Sequence, residues 1–150
     1  MTSNETLARV RLVTTELIDC VAEADALVEG PAVAAREICR QIGVKDREHF
    51  VVLYLDARHR IVATETVSVG TLSAALVHPR EVFKGAIISN AAAIICGHNH
   101  PSGELSPSSD DLQICERLSS AGELLGINVL DFLIVSGEEW ESFKELGELS

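Results

Sequence analysis

Apolar residues recur at helical spacing from Leu7 to Leu27, at Leu7, Val10, Leu17, Ile18, Val21 and Leu27, before Gly30 and Pro31 punctuate the chain. A second helix is predicted from Pro31 to Ile42, since proline suits a first helical position, and Gly43 ends it. After the charged turn Lys45-Asp46-Arg47-Glu48 comes a nearly continuous apolar run, Phe50 to Leu55, the pattern of a strand buried on both faces. Asp56 to Arg60 is polar enough for a hairpin connection. Ile61 to Leu72 is β-branched and partly alternating, which predicts an antiparallel partner strand. Pro79 opens a helix through Ile88, with His78 at its start, and Ala92 to Cys96 reads as another buried strand, followed by a polar loop from His98 to Pro107. Ser108 begins a helix whose positions Leu112, Cys115, Leu118, Leu124 and Leu125 are expected to face inward, ending near Gly126. Ile127 to Val135 is the last strand, and the acidic tail from Gly137 is weakly patterned. Helices alternating with strands in this way predict an α/β fold: a single domain with a mixed central β-sheet flanked by helices. Residues 1–44 are expected to form an N-terminal helical segment packed on a domain of residues 45–150.

Composition supports this reading. The 150 residues are 47% hydrophobic and 23% charged, enough to build one core without disulfides or a structural metal, so any metal is expected to be functional. The four cysteines, Cys20, Cys39, Cys96 and Cys115, form no C-x-x-C pair and read as reduced, mostly buried small hydrophobes. The chain has no apolar run near the roughly 18–20 residues of a membrane span and no signal-peptide pattern at its start, so a cytoplasmic location is expected. The net charge of −11, with basic residues scattered among acids, argues against tight nonspecific nucleic-acid binding, although Arg58 and Arg60 could form a local patch. Neither a G-x-G-x-x-G nor a Walker A sequence occurs. An oligomer is compatible with the sequence.

Chemistry concentrates in His98-Asn99-His100-Pro101-Ser102-Gly103-Glu104-Leu105-Ser106-Pro107-Ser108-Ser109-Asp110-Asp111. Two histidines two apart at the end of an extended segment project to the same side, so both imidazoles can reach one ion. Asp111, brought back by the following loop and helix, would complete a three-ligand site of the kind a catalytic zinc uses. On the residues alone, the histidine pair fits a solvated or hydrogen-bonded loop better than a metal site. Ser108 and Asp111 also fit an S-x-x-D helix cap, which needs no metal. Cys96 shares its facing with His98 and could offer a thiolate, but a buried small residue is the better reading. Asp110 is expected to be solvated, and His49 and His59 carry no partner signal.

The whole string changes the balance. His98-x-His100-Pro101, six residues, Ser108, two residues and Asp111 resembles the pattern of the JAMM (MPN-type) metalloproteases. More closely, the chain is similar to the RadC family of bacterial JAMM-related proteins over roughly Glu48 to Phe143. That similarity runs through Glu48 to Leu53, Val77 to Phe83, Ala91 to Ile95, His98 to Gly103, Gly126-Ile127 and Asp131. The resemblance implies JAMM/MPN layering, a Zn2+ ion held by His98, His100 and Asp111, Glu48 as acid/base, and Ser108 as an oxyanion-stabilising hydroxyl. The implied activity is hydrolysis of a peptide, isopeptide or related amide bond by a metal-activated water, with a peptide or protein as the partner. A competing reading is a non-catalytic metal-binding interaction module associated with DNA repair or mobile elements. A DNA-processing metalloenzyme is a third, against which the acidic charge counts.

Two departures from the family pattern put polarity around the ligands and substrate preference in question. Asp131 is followed by Phe132 where the family usually has histidine, and Cys115 stands where a threonine is common. Longer members carry an N-terminal helix-hairpin-helix, for which no room is expected here, so its DNA affinity is not carried over. Ser108 also raises a conflict, because one hydroxyl cannot fully serve an oxyanion and a helix cap at once.

Overall fold

The computed structural model describes residues 27–71, 73 and 76–150. The expected helix over Leu7–Leu27 lies outside them except for Leu27, which forms an isolated β-bridge with Arg60. Helix α1 spans Pro31–Ile42 with proline in its first turn and buries Ala34, Ala35, Ile38 and Ile42 along one stripe. Strands β1 (His49–Leu55) and β2 (Ile61–Val69) form an antiparallel hairpin. At its turn the Asp56 carboxylate accepts the amides of Arg58 and Arg60, both at 2.9 Å, and His59 takes a left-handed φ of 61°. Helix α2 (Pro79–Ile88) is capped by His78, whose Nδ1 accepts the Arg80 N–H. Then follow β3 (Ala93–Asn99), α3 (Ser109–Leu125), β4 (Asn128–Ser136), β5 (Glu139–Ser142) and α4 (Phe143–Leu146).

The sheet order is β2-β1-β3-β4-β5, with β3 and β4 parallel and the other neighbours antiparallel. Period-two alternation sorts the side chains of β1 into two cores. Phe50, Val52 and Tyr54 pack with residues of α2, α3 and α4, while Val51, Leu53 and Leu55 pack with α1. Both faces are covered, which is why this strand reads as an unbroken apolar run.

Gly97, on β3, faces α1: a Cβ there would stand 2.6 Å from Ile38 Cγ2 and 2.7 Å from its Cδ1. Gly97→Ala is therefore expected to destabilise the domain by about 1–3 kcal/mol through overpacking. Urea unfolding measures this, and an unchanged midpoint would mean that α1 gives way freely.

Three expectations are corrected. Strand β3 runs on through His98 and Asn99, which the polar pattern assigned to a loop. The inward face of α3 is Asp111, Ile114, Cys115, Leu118 and Gly122, whereas Leu112, Leu124 and Leu125 are exposed at 37%, 87% and 48%. The weakly patterned tail is ordered as β5 and α4, because the buried Asp131 carboxylate accepts the Ser142 hydroxyl at 2.6 Å and the Lys144 N–H at 3.1 Å. Among the described residues no helix is long and apolar enough to cross a membrane.

Candidate metal centre

Strand β3 lies between β1 and β4, with His98 paired to Phe50 on one side and to Ile134 on the other. Alternation places Ile94 and Cys96 in the core under α2 and α3, and His98 and His100 continue the same line. His100 lies just past the strand, but its N–H still donates to the Val135 carbonyl at 3.0 Å, so the extended path is held. The loop then turns at Gly103, with φ 87° and its N–H on the His100 carbonyl. This turn returns the chain so that the first turn of α3 meets the carboxyl ends of the parallel strands β3 and β4, a common position for ligand sites in α/β folds.

Asp111 arrives there as the third residue of α3. Its backbone N–H donates to Ser108 Oγ at 3.1 Å, and its Oδ2 accepts the Ser108 backbone N–H at 2.8 Å, a reciprocal capping box. The positive end of the helix dipole also favours a carboxylate at this position. His98, His100 and Asp111 are buried, at 1%, 9% and 0% exposure.

Both rings aim a nitrogen at this carboxylate. His98 Nδ1 lies 2.8 Å from Oδ1 and His100 Nε2 3.1 Å from Oδ2, while the rings meet edge to face at a centroid distance of 4.9 Å. His100 Nδ1 is 2.6 Å from the Glu104 carbonyl, an acceptor, which fixes the ring proton on Nδ1. A neutral His100 therefore turns the lone pair of Nε2 toward a carboxylate oxygen, an arrangement that requires a positive charge between them. The hydrogen bond to Asp111 holds the His100 pKa above the ordinary imidazole range against burial, and the Glu104 carbonyl adds to this. Burial pushes the Asp111 carboxyl up, but hydrogen bonds from His100, His98 and the Ser108 backbone outweigh it and hold the group well below the usual carboxylate range.

His98 Nε2 is buried without a hydrogen-bond partner, 3.9 Å from Glu48 Oε1. An orphaned buried polar atom costs about 1–3 kcal/mol. A cation would relieve that cost and supply the missing positive charge. One ligand atom from each of His98, His100 and Asp111 can be chosen so that all lie within 4.8 Å of one another, and among the described residues this is the group that could hold a metal ion. Two imidazoles and a carboxylate suit zinc and other divalent transition metals.

The remaining sequence candidates fall around this trio or away from it. Glu48 precedes β1 and is about one-third exposed, at 32%. With Asp46, Arg47, Gly70, Thr71 and Pro101 it lines an open cleft of about 660 Å3. The Ser108 hydroxyl is engaged in the cap and also donates to Asp111 Oδ2 at 2.8 Å. Cys96 is buried in the core, where burial pushes its thiol well up, and Asp110 is exposed. Asn99 was missed by sequence reasoning. It is 1% exposed, and its amide contacts the chain on either side of Glu48. Local patterning carries no signal for it, because its burial depends on backbone partners supplied by the segment that leads into β1.

Comparison with known proteins agrees with this geometry. The family model of the RadC-like JAB domain matches residues 28–148. A UPF0758 protein of Geobacillus sp. (strain WCH70) is 40% identical over 121 residues, covering 81% of this chain and 54% of its own length. UPF0758 proteins of Rubrobacter xylanophilus and Desulforudis audaxviator are 45% identical over 133 residues and 47% over 117, covering 89% and 78% of this chain and 54% and 51% of their own lengths. The chain thus spans about half the length of the curated relatives it matches. With its mixed five-stranded sheet and a His/His/Asp group able to hold a metal ion, the chain belongs to the RadC-like JAB domain family.

Proposed function

We propose that this domain is a zinc-dependent hydrolase that cleaves a peptide, isopeptide or related amide bond. The observation that carries this reading is the convergence of His98, His100 and Asp111 beside a carboxylate, Glu48, that is neither buried nor part of the ligand group and opens onto a cleft. A metal that only braced the fold would need neither Glu48 nor the cleft. Bound zinc supplies a Lewis acid that makes water a usable nucleophile at neutral pH.

The chain's own residues do the rest. Glu48, next to His98 Nε2 and in contact with solvent, takes a proton from the attacking water at its carboxylate and delivers it to the departing amine. The fixed Nδ1–H of His100 keeps its other nitrogen available as a ligand. Ser108 donates its hydroxyl to the carbonyl oxygen as negative charge develops there, which requires it to leave Asp111 Oδ2. Ser108→Gly separates this role from capping, because glycine at an N-cap costs only a few tenths of a kcal/mol, about the smallest of any replacement. It is expected to keep thermal stability and to lower kcat by roughly 100- to 1000-fold. Full activity would leave Ser108 as a cap.

The reading itself is tested by incubating the zinc-loaded protein with a library of linear and isopeptide-linked peptides. Cleavage that stops on chelation and returns with zinc is expected. Absence of cleavage across the library by fully loaded protein would overturn it.

A further inference from the structure

We infer that Asn99 is a positioning residue that holds Glu48 in register with the metal-ligand cluster. The inference rests on Glu48 acting as the acid/base of the proposed hydrolysis. Asn99 ends β3 with its side chain on the sheet face opposite His98 and His100, so it cannot serve as their co-ligand. Instead it reaches across to the segment that leads into β1. Its Oδ1 accepts the His49 backbone N–H at 2.6 Å, and its Nδ2 donates to the carbonyls of Arg47 at 2.9 Å and Lys45 at 3.3 Å.

These three bonds use both amide hydrogens and one face of the oxygen, and every partner is backbone of the five-residue segment from Lys45 to His49. Glu48 lies between two of them. On its other side the Glu48 carbonyl accepts the Gly70 N–H at 2.8 Å, so the residue is clamped between the end of β3 and the end of β2. Phe50 is the first residue of β1 paired to β3, opposite His98. One residue earlier, the Asn99 amide takes over from the backbone ladder. The same strand therefore carries the ligands His98 and His100 and, through Asn99, fixes the backbone of the carboxylate that must work beside them. Only an amide serves here: an aspartate would set its oxygens against the two carbonyls, and alanine would leave all three groups without this partner.

The test combines kinetics with structure. Asn99→Ala is expected to bind zinc as wild type does, keep KM, and lower kcat by roughly 100-fold, the scale of a misplacement of about 1 Å. In the Glu48→Gln background the same change should add little, because both substitutions remove one function. An independent, full-sized loss in that background would show a merely structural role and overturn the inference. If Asn99→Ala fails to fold, Asn99→Ser, which keeps a small polar group but cannot span both carbonyls, takes its place in the cycle. Should wild type hydrolyse nothing, the proposed function fails, and crystal structures decide Asn99 separately. Displacement of Glu48 by about 1 Å or more in the variant, with β1 unmoved from Phe50 onward, supports the positioning role; an unmoved Glu48 rejects it.

Discussion

Glu48→Gln is expected to retain the full complement of zinc while slowing amide hydrolysis by roughly 100- to 10,000-fold, the usual contribution of a general acid/base. Its Oε1 lies 3.9 Å from His98 Nε2, so the carboxylate stands beside the site without belonging to the three-donor cluster. Glutamine preserves shape and polarity but cannot accept a proton. Metal analysis and initial rates on the same preparation separate the outcomes. Unchanged turnover would remove Glu48 from the chemistry, and loss of zinc would make it a ligand or a support for one.

The second large effect concerns the ligands. His100→Ala and Asp111→Asn are each expected to weaken zinc binding by more than about 100-fold, since changing residues that merely support a ligand already costs 10- to 100-fold. The two variants fail for different reasons. His100→Ala removes a donor and leaves the Glu104 carbonyl without its Nδ1–H partner. Asp111→Asn keeps an oxygen for the Ser108 N–H, so α3 remains capped, but removes the negative charge that both rings face. Circular dichroism of the metal-free variants should match wild type, and competition with a chromogenic chelator measures affinity. Wild-type affinity in both would refute the assignment.

How much of this was legible in the sequence depends on what buries each residue. The apolar run Phe50 to Leu55 announces a strand because hydrophobic side chains fill both of its faces. The end of β3 does not, since His98 and Asn99 are buried by polar partners, and hydrophobic patterning reads such residues as loop. The same blindness affects part of α3, where Cys115 and Leu118 face inward as expected but Leu112, Leu124 and Leu125 do not. Its inward stripe contains a carboxylate, Asp111, and a glycine, Gly122, packed so close to the Ile127 carbonyl that no side chain fits, so Leu112, Leu124 and Leu125 looked like the better face. The tail is pinned by Asp131 to Ser142 and Lys144, a contact that no local periodicity carries. At the site, the two-residue histidine spacing and the Ser108–Asp111 interval were visible because strand and helix periods are local. The approach of Glu48 was not, because it depends on the antiparallel register that sets Phe50 opposite His98.

The most direct measurement is anomalous diffraction at the zinc edge from crystals of the protein grown with zinc. One strong peak per chain, within bonding distance of a nitrogen of His98, a nitrogen of His100 and an oxygen of Asp111, is the predicted result. A peak bound elsewhere, or none between these three side chains at saturating zinc, would contradict it.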